Sequence, residues 1–292
     1  MKKYKNDDKV FIITSGKGGV GKTTLASNIG VSLARMGHKT CLIDGDVGLR
    51  NLDLLLGAEN KCLHSALDVM QGEVPLSSAI IKDERWPFLG LIQLTSVRQK
   101  YILSKEDIQN LIDEIHSIGY KNIIIDSPAG IDNGFFNSLV GATSAIIVTT
   151  PDIASIRDAD RVVGILESRL EIKDINLLVN RIIPKSPLDK NFLSVLDVQK
   201  LLGLPVLEAI PEDKQVSIAA NRGVPLTFNL ENDEWFSPAG MAFDNAATRL
   251  LDQSKPIIDF KPHEHNLVQN NIHKKSILSF LKNYFTRGFE PL

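Results

Sequence analysis

Apolar residues fall into two kinds of segment along this chain. Short runs rich in β-branched residues, at positions 10–14, 40–43, 89–94, 122–125, 145–149, 175–179 and 205–210, are almost continuously apolar instead of alternating. A strand with that pattern is covered on both faces, as in a parallel sheet between helix layers. Between these runs lie stretches of helical period, at about 22–36, 105–118, 153–170, 195–202 and 238–251, punctuated by glycine and proline. The alternation predicts an α/β fold built on a single doubly wound, mostly parallel sheet. After Ser254 the period stops, and KPIIDFKPHEHNLVQNN, polar with two prolines, predicts a linker over 255–272. An amphipathic segment over 273–287 follows. The expected organisation is therefore one domain over 1–254, a linker and a short terminal helix.

Composition narrows the function classes. With 43% hydrophobic and 23% charged residues in a chain of 292, a full core can be buried. The formal net charge of −2 supplies no global basic field, so any contact with nucleic acid or anionic lipid has to be local. Cys41 and Cys62 stand alone, which argues against a disulfide framework, a structural zinc site or a four-thiolate cluster within one chain. Cys41, inside an apolar run, reads as a small core residue. No stretch approaches the ~20 apolar residues of a membrane span, and MKKYKNDDK leads into a strand without a signal-peptide core. The expectation is a protein neither secreted nor membrane-spanning. His263 and His265 form an isolated pair in the linker and read as solvated.

The chemistry is concentrated after the first strand. Gly16-Lys17-Gly18-Gly19-Val20-Gly21-Lys22-Thr23, followed by Thr24, matches G-x-x-x-x-G-K-[ST] between a predicted strand and a predicted helix. Glycines let successive N–H groups converge on phosphate oxygens, and the helix N-terminus adds partial positive charge. Lys22 is placed to reach the β and γ phosphates of a nucleoside triphosphate, and the Thr23 hydroxyl to take one position on Mg2+. Lys17 is a second lysine that a bare phosphate loop does not require. Asp44, Asp46 and Asp126 follow predicted strands, at the carboxyl ends where open α/β sheets bind ligands, and carboxylates there can support Mg2+ or orient a water. Asp126-Ser127-Pro128-Ala129-Gly130 adds a loop able to sense the γ phosphate. Asp152, Arg157, Asp158, Asp160 and Arg161 give the helix predicted from position 153 a charged start.

The runs SGKGGVGKTT, IDGDVGLRNLDLLLG, DSPAG and SIRDADR resemble the MinD family of division-site-placing ATPases, within the deviant Walker A group of P-loop ATPases that also holds the ParA-type partition proteins. The resemblance runs from Val10 to the C-terminus, and GLRNLDLLLG favours MinD over ParA. It implies ATP and Mg2+ as cofactors, hydrolysis to ADP and phosphate, and an ATP-dependent homodimer. It implies that Lys17 reaches the partner's phosphates, that Asp46 orients the hydrolytic water, and that Asp44 and Asp126 support the Mg2+ shell. Base recognition in such ATPases uses an Asn-Arg pair and a later proline-containing loop, which places Asn180, Arg181, Pro211 and Asp213 at the nucleotide. The charged helix start becomes part of a partner surface. A MinC-like division inhibitor and a MinE-like activator are the expected partners, with no nucleic acid among them.

In KKSILSFLKNYFTRGF, Ile277, Leu278, Phe280, Leu281, Tyr284 and Phe285 fall within about 160° at ~100° per residue. Lys274, Lys275, Lys282 and Arg287 add local positive charge. The pattern fits a last helix packed on the domain or a helix lying in a membrane interface. The family resemblance, which includes a membrane-targeting tail, favours the second, with Lys275 at its cationic margin. The expected location is then the inner, cytoplasmic or plastid-stromal, face of a membrane, in exchange with a soluble pool. The alternative is a ParA-like DNA-partition ATPase, which needs a basic patch. An iron–sulfur carrier would need clustered cysteines, and a metabolic phosphoryl-transfer enzyme shares the loop but leaves the tail without a role.

Overall fold

The computed structural model describes residues 8–46, 50–94, 104–183, 193–228 and 237–260. In chain order these form β1 (Lys9–Thr14), α1 (Lys22–Arg35), β2 (Thr40–Asp44), α2 (Leu52–Leu55), α3 (Ala66–Met70), α4 (Leu76–Ala79), β3 (Ile81–Lys82), β4 (Leu89–Gln93) and α5 (Lys105–Ser117). The second half holds β5 (Asn122–Asp126), α6 (Asn133–Ser138), β6 (Ser144–Thr149), α7 (Ile153–Glu167), β7 (Asp174–Ile182), α8 (Val195–Leu202), β8 (Val206–Pro211), α9 (Lys214–Asn221) and α10 (Pro238–Leu251). One compact unit contains them and runs on to Ile258, beyond the expected end at 254. A second unit, Pro184–Asp189 with Asp259–Leu292, contributes only Asp259 and Phe260 to the described residues.

The strands lie in the order β3-β4-β2-β5-β1-β6-β7-β8, and every pair is parallel except β3 with β4. The doubly wound expectation holds, and the order reverses at β1, so the loop leaving β1 opens into the crevice of a topological switch point. The apolar runs follow from this position. β2, β4, β5, β6 and β8 are buried at every residue. Val10, Ile43, Ile123 and Ile125 pack with α3, α4 and α5. Ile12, Ala145, Ile147, Leu177 and Val179 pack with α6, α7 and α8. The alternate residues Phe11, Ile13, Leu42 and Ile124 are also buried, on the face that carries α1.

Helix ends obey local chemistry. α5 and α8 start with reciprocal capping boxes, Ser104 with Asp107 and Ser194 with Asp197. α5 buries Ile108, Leu111, Ile112 and Ile115, a stripe at helical spacing. α7 stops at Glu167, not at position 170: the Ser168 hydroxyl bonds Ile165 O at 2.6 Å, and Leu170 beyond it is 96% exposed. The sheet's outer strands are unequal. β3 is two residues long. At the other side Arg249 of α10 donates from Nε to Leu207 O at 2.6 Å and from Nη2 to Val206 O at 3.2 Å, both carbonyls of β8. Among the described residues no helix is long and apolar enough to cross a membrane. Most of the expected linker and all of the terminal helix, including Lys275, Ile277, Leu278, Phe280, Leu281, Tyr284 and Phe285, lie outside the described residues, as do His263 and His265.

Candidate nucleotide site

The phosphate-loop motif links β1 to α1, with Gly19 at φ 75° and Gly21 at φ 103°. At the loop's start a Cβ on Gly16 would collide with the Asp158 backbone, so the absent side chain lets α7 press against the loop. Gly16 is half-buried and Lys17, Gly18 and Gly19 are exposed, while Val20 is buried. Lys22 is 8% exposed and donates from Nζ to Ser15 Oγ at 2.9 Å. Ser15 passes the contact on, donating to Lys17 O at 2.7 Å. Burial pushes the Lys22 ammonium below its ordinary range, against the pull of Asp126 and Asp46. Such a lysine lacks full charge compensation, which phosphate oxygens would supply. Thr23 and Thr24 stand half-buried in the first turn of α1.

Facing the lysine are the strand-end carboxylates. Asp44 and Asp126 are register partners on β2 and β5, 2% and 1% exposed. Asp44 accepts the Asp46 N–H at 3.1 Å and the Leu52 N–H at 3.3 Å. Burial nevertheless moves its carboxyl up to about 6, with Asp53 and Asp46 adding repulsion. Asp126 is raised as well, mainly by burial and then by Asp44, although the Thr23 hydroxyl and Lys22 oppose the rise. Asp126 Oδ1 is buried with no hydrogen-bond partner in the described structure. An orphaned carboxylate oxygen beside a second raised carboxylate and the Thr23 hydroxyl fits a hydrated Mg2+, which takes few protein ligands and keeps waters and phosphate oxygens. Among the described residues no cluster of three or more His, Cys, Asp or Glu could form an all-protein metal cage.

The remaining candidates are distributed around the loop. Lys17 Nζ lies 3.7 Å from Asp152 Oδ1, both side chains about half exposed at 46% and 48%. Asp152 also caps α7, accepting the Ser155 N–H at 2.9 Å. Burial raises its pKa, but the Thr150 hydroxyl, the Ser155 N–H and Lys17 outweigh it and hold the carboxyl below its ordinary range. Asn180 and Arg181 lean on the loop itself, with Asn180 Nδ2 donating to Val20 O at 2.7 Å and Arg181 Nη2 to Gly19 O at 3.0 Å. Pro211 ends β8. The Asp213 carboxylate is engaged at both oxygens, accepting Gln215 N–H at 2.9 Å and the Ser237 hydroxyl at 2.6 Å, so it ties the starts of α9 and α10 together.

Sequence reasoning passed over two groups. Ser15 opens the SGKGGVGKTT run but has no place in the G-x-x-x-x-G-K-[ST] motif, yet it joins the two lysines. Asp53 and Gln93, linked at 2.8 Å with Arg50 on Gln93 Oε1, brace the chain beyond Asp46. Asp53 belongs to the GLRNLDLLLG run, the signal that pointed there; residues 48 and 49 of that run lie outside the described residues.

A glycine-rich loop between the first strand and helix of a parallel sheet, with a buried lysine in the loop and two strand-end carboxylates opposite, defines a P-loop nucleoside triphosphatase. Residues 11–226 match the CobQ/CobB/MinD/ParA nucleotide binding domain. A MinD relative from Chlorella vulgaris is 47% identical over 262 residues, 90% of this chain and 91% of that one. The MinC:MinD cell division protein complex of Aquifex aeolicus contains a chain 40% identical, with a TM-score of 0.78, matched over 87% of this chain and 99% of its own length. The septum site-determining protein MinD of Pyrococcus horikoshii, complexed with Mg-ADP, is 25% identical with a TM-score of 0.72, over 85% and 97%. The chain belongs to the CobQ/CobB/MinD/ParA family of nucleotide-binding proteins. Its function is of the MinD type, Mg2+-dependent ATP hydrolysis serving placement of the division site.

Proposed function

We propose that this ATPase is a nucleotide-switched dimer that carries a division inhibitor to a membrane. The observation that carries this reading is the contrast between the two loop lysines: Lys22 is buried against Ser15, whereas Lys17 is half exposed and lies in an ion pair with Asp152. A buried lysine serves its own phosphates. An exposed one, loosely held beside the same loop, is placed to exchange Asp152 for the phosphates of a second copy.

In this reading the N–H groups of residues 16–24 cradle the phosphates, and Lys22 neutralises the β and γ oxygens. Thr23 would hold Mg2+, with Asp44 and Asp126 in support, and the ion would supply charge withdrawal from the phosphoryl group. Asp46 orients the attacking water, and the backbone around Asn180, Arg181, Pro211 and Asp213 receives the base. Dimer formation brings two terminal helices, residues 273–287, on to one body, and their paired insertion into an anionic surface gives avidity that one helix lacks. Hydrolysis separates the copies and releases them. The complex of the Aquifex aeolicus relative with MinC supports a MinC-like inhibitor as cargo here, and the family supports a MinE-like activator. Sedimentation with anionic vesicles in ATP, ADP and no nucleotide tests the switch: binding should require ATP. Equal binding in all three states would overturn it, and salt-sensitive retention on DNA without vesicle binding would favour the partition-type alternative.

A further inference from the structure

β7 ends in a conformation that L-residues avoid. Arg181 has φ 57°, and no other described non-glycine residue has a positive φ. A backbone of this kind persists where its surroundings over-determine it. Here it accompanies two consecutive side chains that both turn on to the phosphate loop, Asn180 to Val20 O and Arg181 to Gly19 O. The Asn180 amide is oriented from both ends, because its Oδ1 accepts the Arg181 N–H at 2.9 Å, leaving Nδ2 for the loop. Its approach is so close that a Cβ on Gly21 would collide with Nδ2. Asn180 is 9% exposed.

These contacts act through peptide geometry. In a trans peptide the carbonyl of one residue and the N–H of the next point in opposite directions, and the described chain has no cis bond. Holding the Gly19 carbonyl towards Arg181 therefore turns the Val20 N–H the other way. Holding the Val20 carbonyl towards Asn180 does the same for the Gly21 N–H. A loop whose N–H directions are set in advance loses less freedom when an anion arrives.

We propose that Asn180 and Arg181 are positioning residues of the phosphate loop, fixing two successive carbonyls so that the following N–H groups meet the phosphate oxygens of any nucleoside triphosphate. This goes beyond recognition of the base, and rests on the loop's being the phosphate site. Two variants isolate it. Arg181→Asn removes the guanidinium but suits the left-handed conformation. Asn180→Asp keeps the acceptor for the Arg181 N–H and sets an oxygen against Val20 O. Calorimetry and competition with Mg2+ would measure ATP, GTP and inorganic triphosphate.

Both variants should weaken all three probes by a similar factor, about tenfold, the loss of one charged or buried hydrogen bond. The Arg181→Asn thermal midpoint should stay near the wild-type value and that of Asn180→Asp should fall, since a carboxylate oxygen then faces the buried Val20 carbonyl, while Arg181→Gly, which accepts φ 57° without strain, should repeat the Arg181→Asn result. Loss confined to ATP would overturn the proposal and leave a base contact alone, as would unchanged affinity for every probe. A wild-type protein that bound neither ATP nor triphosphate would instead overturn the assignment of the loop itself.

Discussion

Asp44→Asn should stabilise the nucleotide-free protein and weaken its response to Mg-ATP. The carboxylate is 2% exposed, and burial moves its ionisation from 3.8 to about 6 against the help of two backbone N–H donors. Keeping it charged in the fold costs about 3 kcal/mol, at 1.36 kcal/mol per decade. The sign follows from proton binding: between pH 3.8 and 6 the native state holds more protons than the unfolded chain, so this group lowers stability as pH rises through that window, and its effect is flat above it. Asparagine abolishes the ionisation but turns an NH2 group towards one of the Asp46 and Leu52 N–H donors, a loss of about 1–2 kcal/mol. The net gain at pH 7.5 is about 1–2 kcal/mol, enlarged because Asp126 no longer faces a charged neighbour. Urea unfolding of both proteins from pH 4.5 to 8, without nucleotide, would give two profiles that diverge as pH rises. Adding Mg-ATP should stabilise the wild type more than the variant, since the cation's support is gone. Parallel pH profiles, or a less stable variant at pH 7.5, would refute the argument.

Lys17→Ala breaks only a half-exposed ion pair, costing less than about 1 kcal/mol of stability; sizing with ATP should show a monomer that still binds nucleotide, and a normal dimer would remove the trans role. Asp46→Ala should leave ATP-dependent assembly intact and stop turnover, because a water orienter acts only on the way to the transition state; unchanged phosphate release would exclude it. Leu281→Glu or Phe285→Glu should abolish vesicle binding while solution dimerisation survives, and a cooperative loss of the domain's fold would place that segment in the core instead.

The long, regular elements were legible because their causes are local. Continuous apolar runs gave the sheet, and helical periods beginning at about 105 and 195 gave the starts of α5 and α8. The phosphate loop and the strand-end carboxylates were legible for the same reason, since the ends of apolar runs locate the ends of strands. What escaped was either too short to carry a period, such as α2, α3 and α4, or made by chain segments far apart. Gln93 meets Asp53 across 40 positions, and Ser15 meets Lys22 only after the loop has folded back. Asp213 was assigned to the nucleotide by resemblance, and its carboxylate is committed to two helix starts that no local pattern connects. The left-handed backbone at Arg181 has no composition signal, because glycine and asparagine are the residues that announce it.

The two margins of the sheet bear on behaviour at high local concentration. A parallel sheet with a long bare outer strand is a template for the same strand of another molecule, and crowding copies together would favour such pairing. Here one margin is closed by the two-residue antiparallel β3, too short to seed a ladder. At the other, the carbonyls of Val206 and Leu207 are already spoken for by the Arg249 guanidinium, and Pro211 offers no N–H. Among the described residues both margins of the sheet thus present few free groups to another strand, and Arg249→Ala should raise the concentration dependence of light scattering if its cover of β8 is what keeps that margin unpaired.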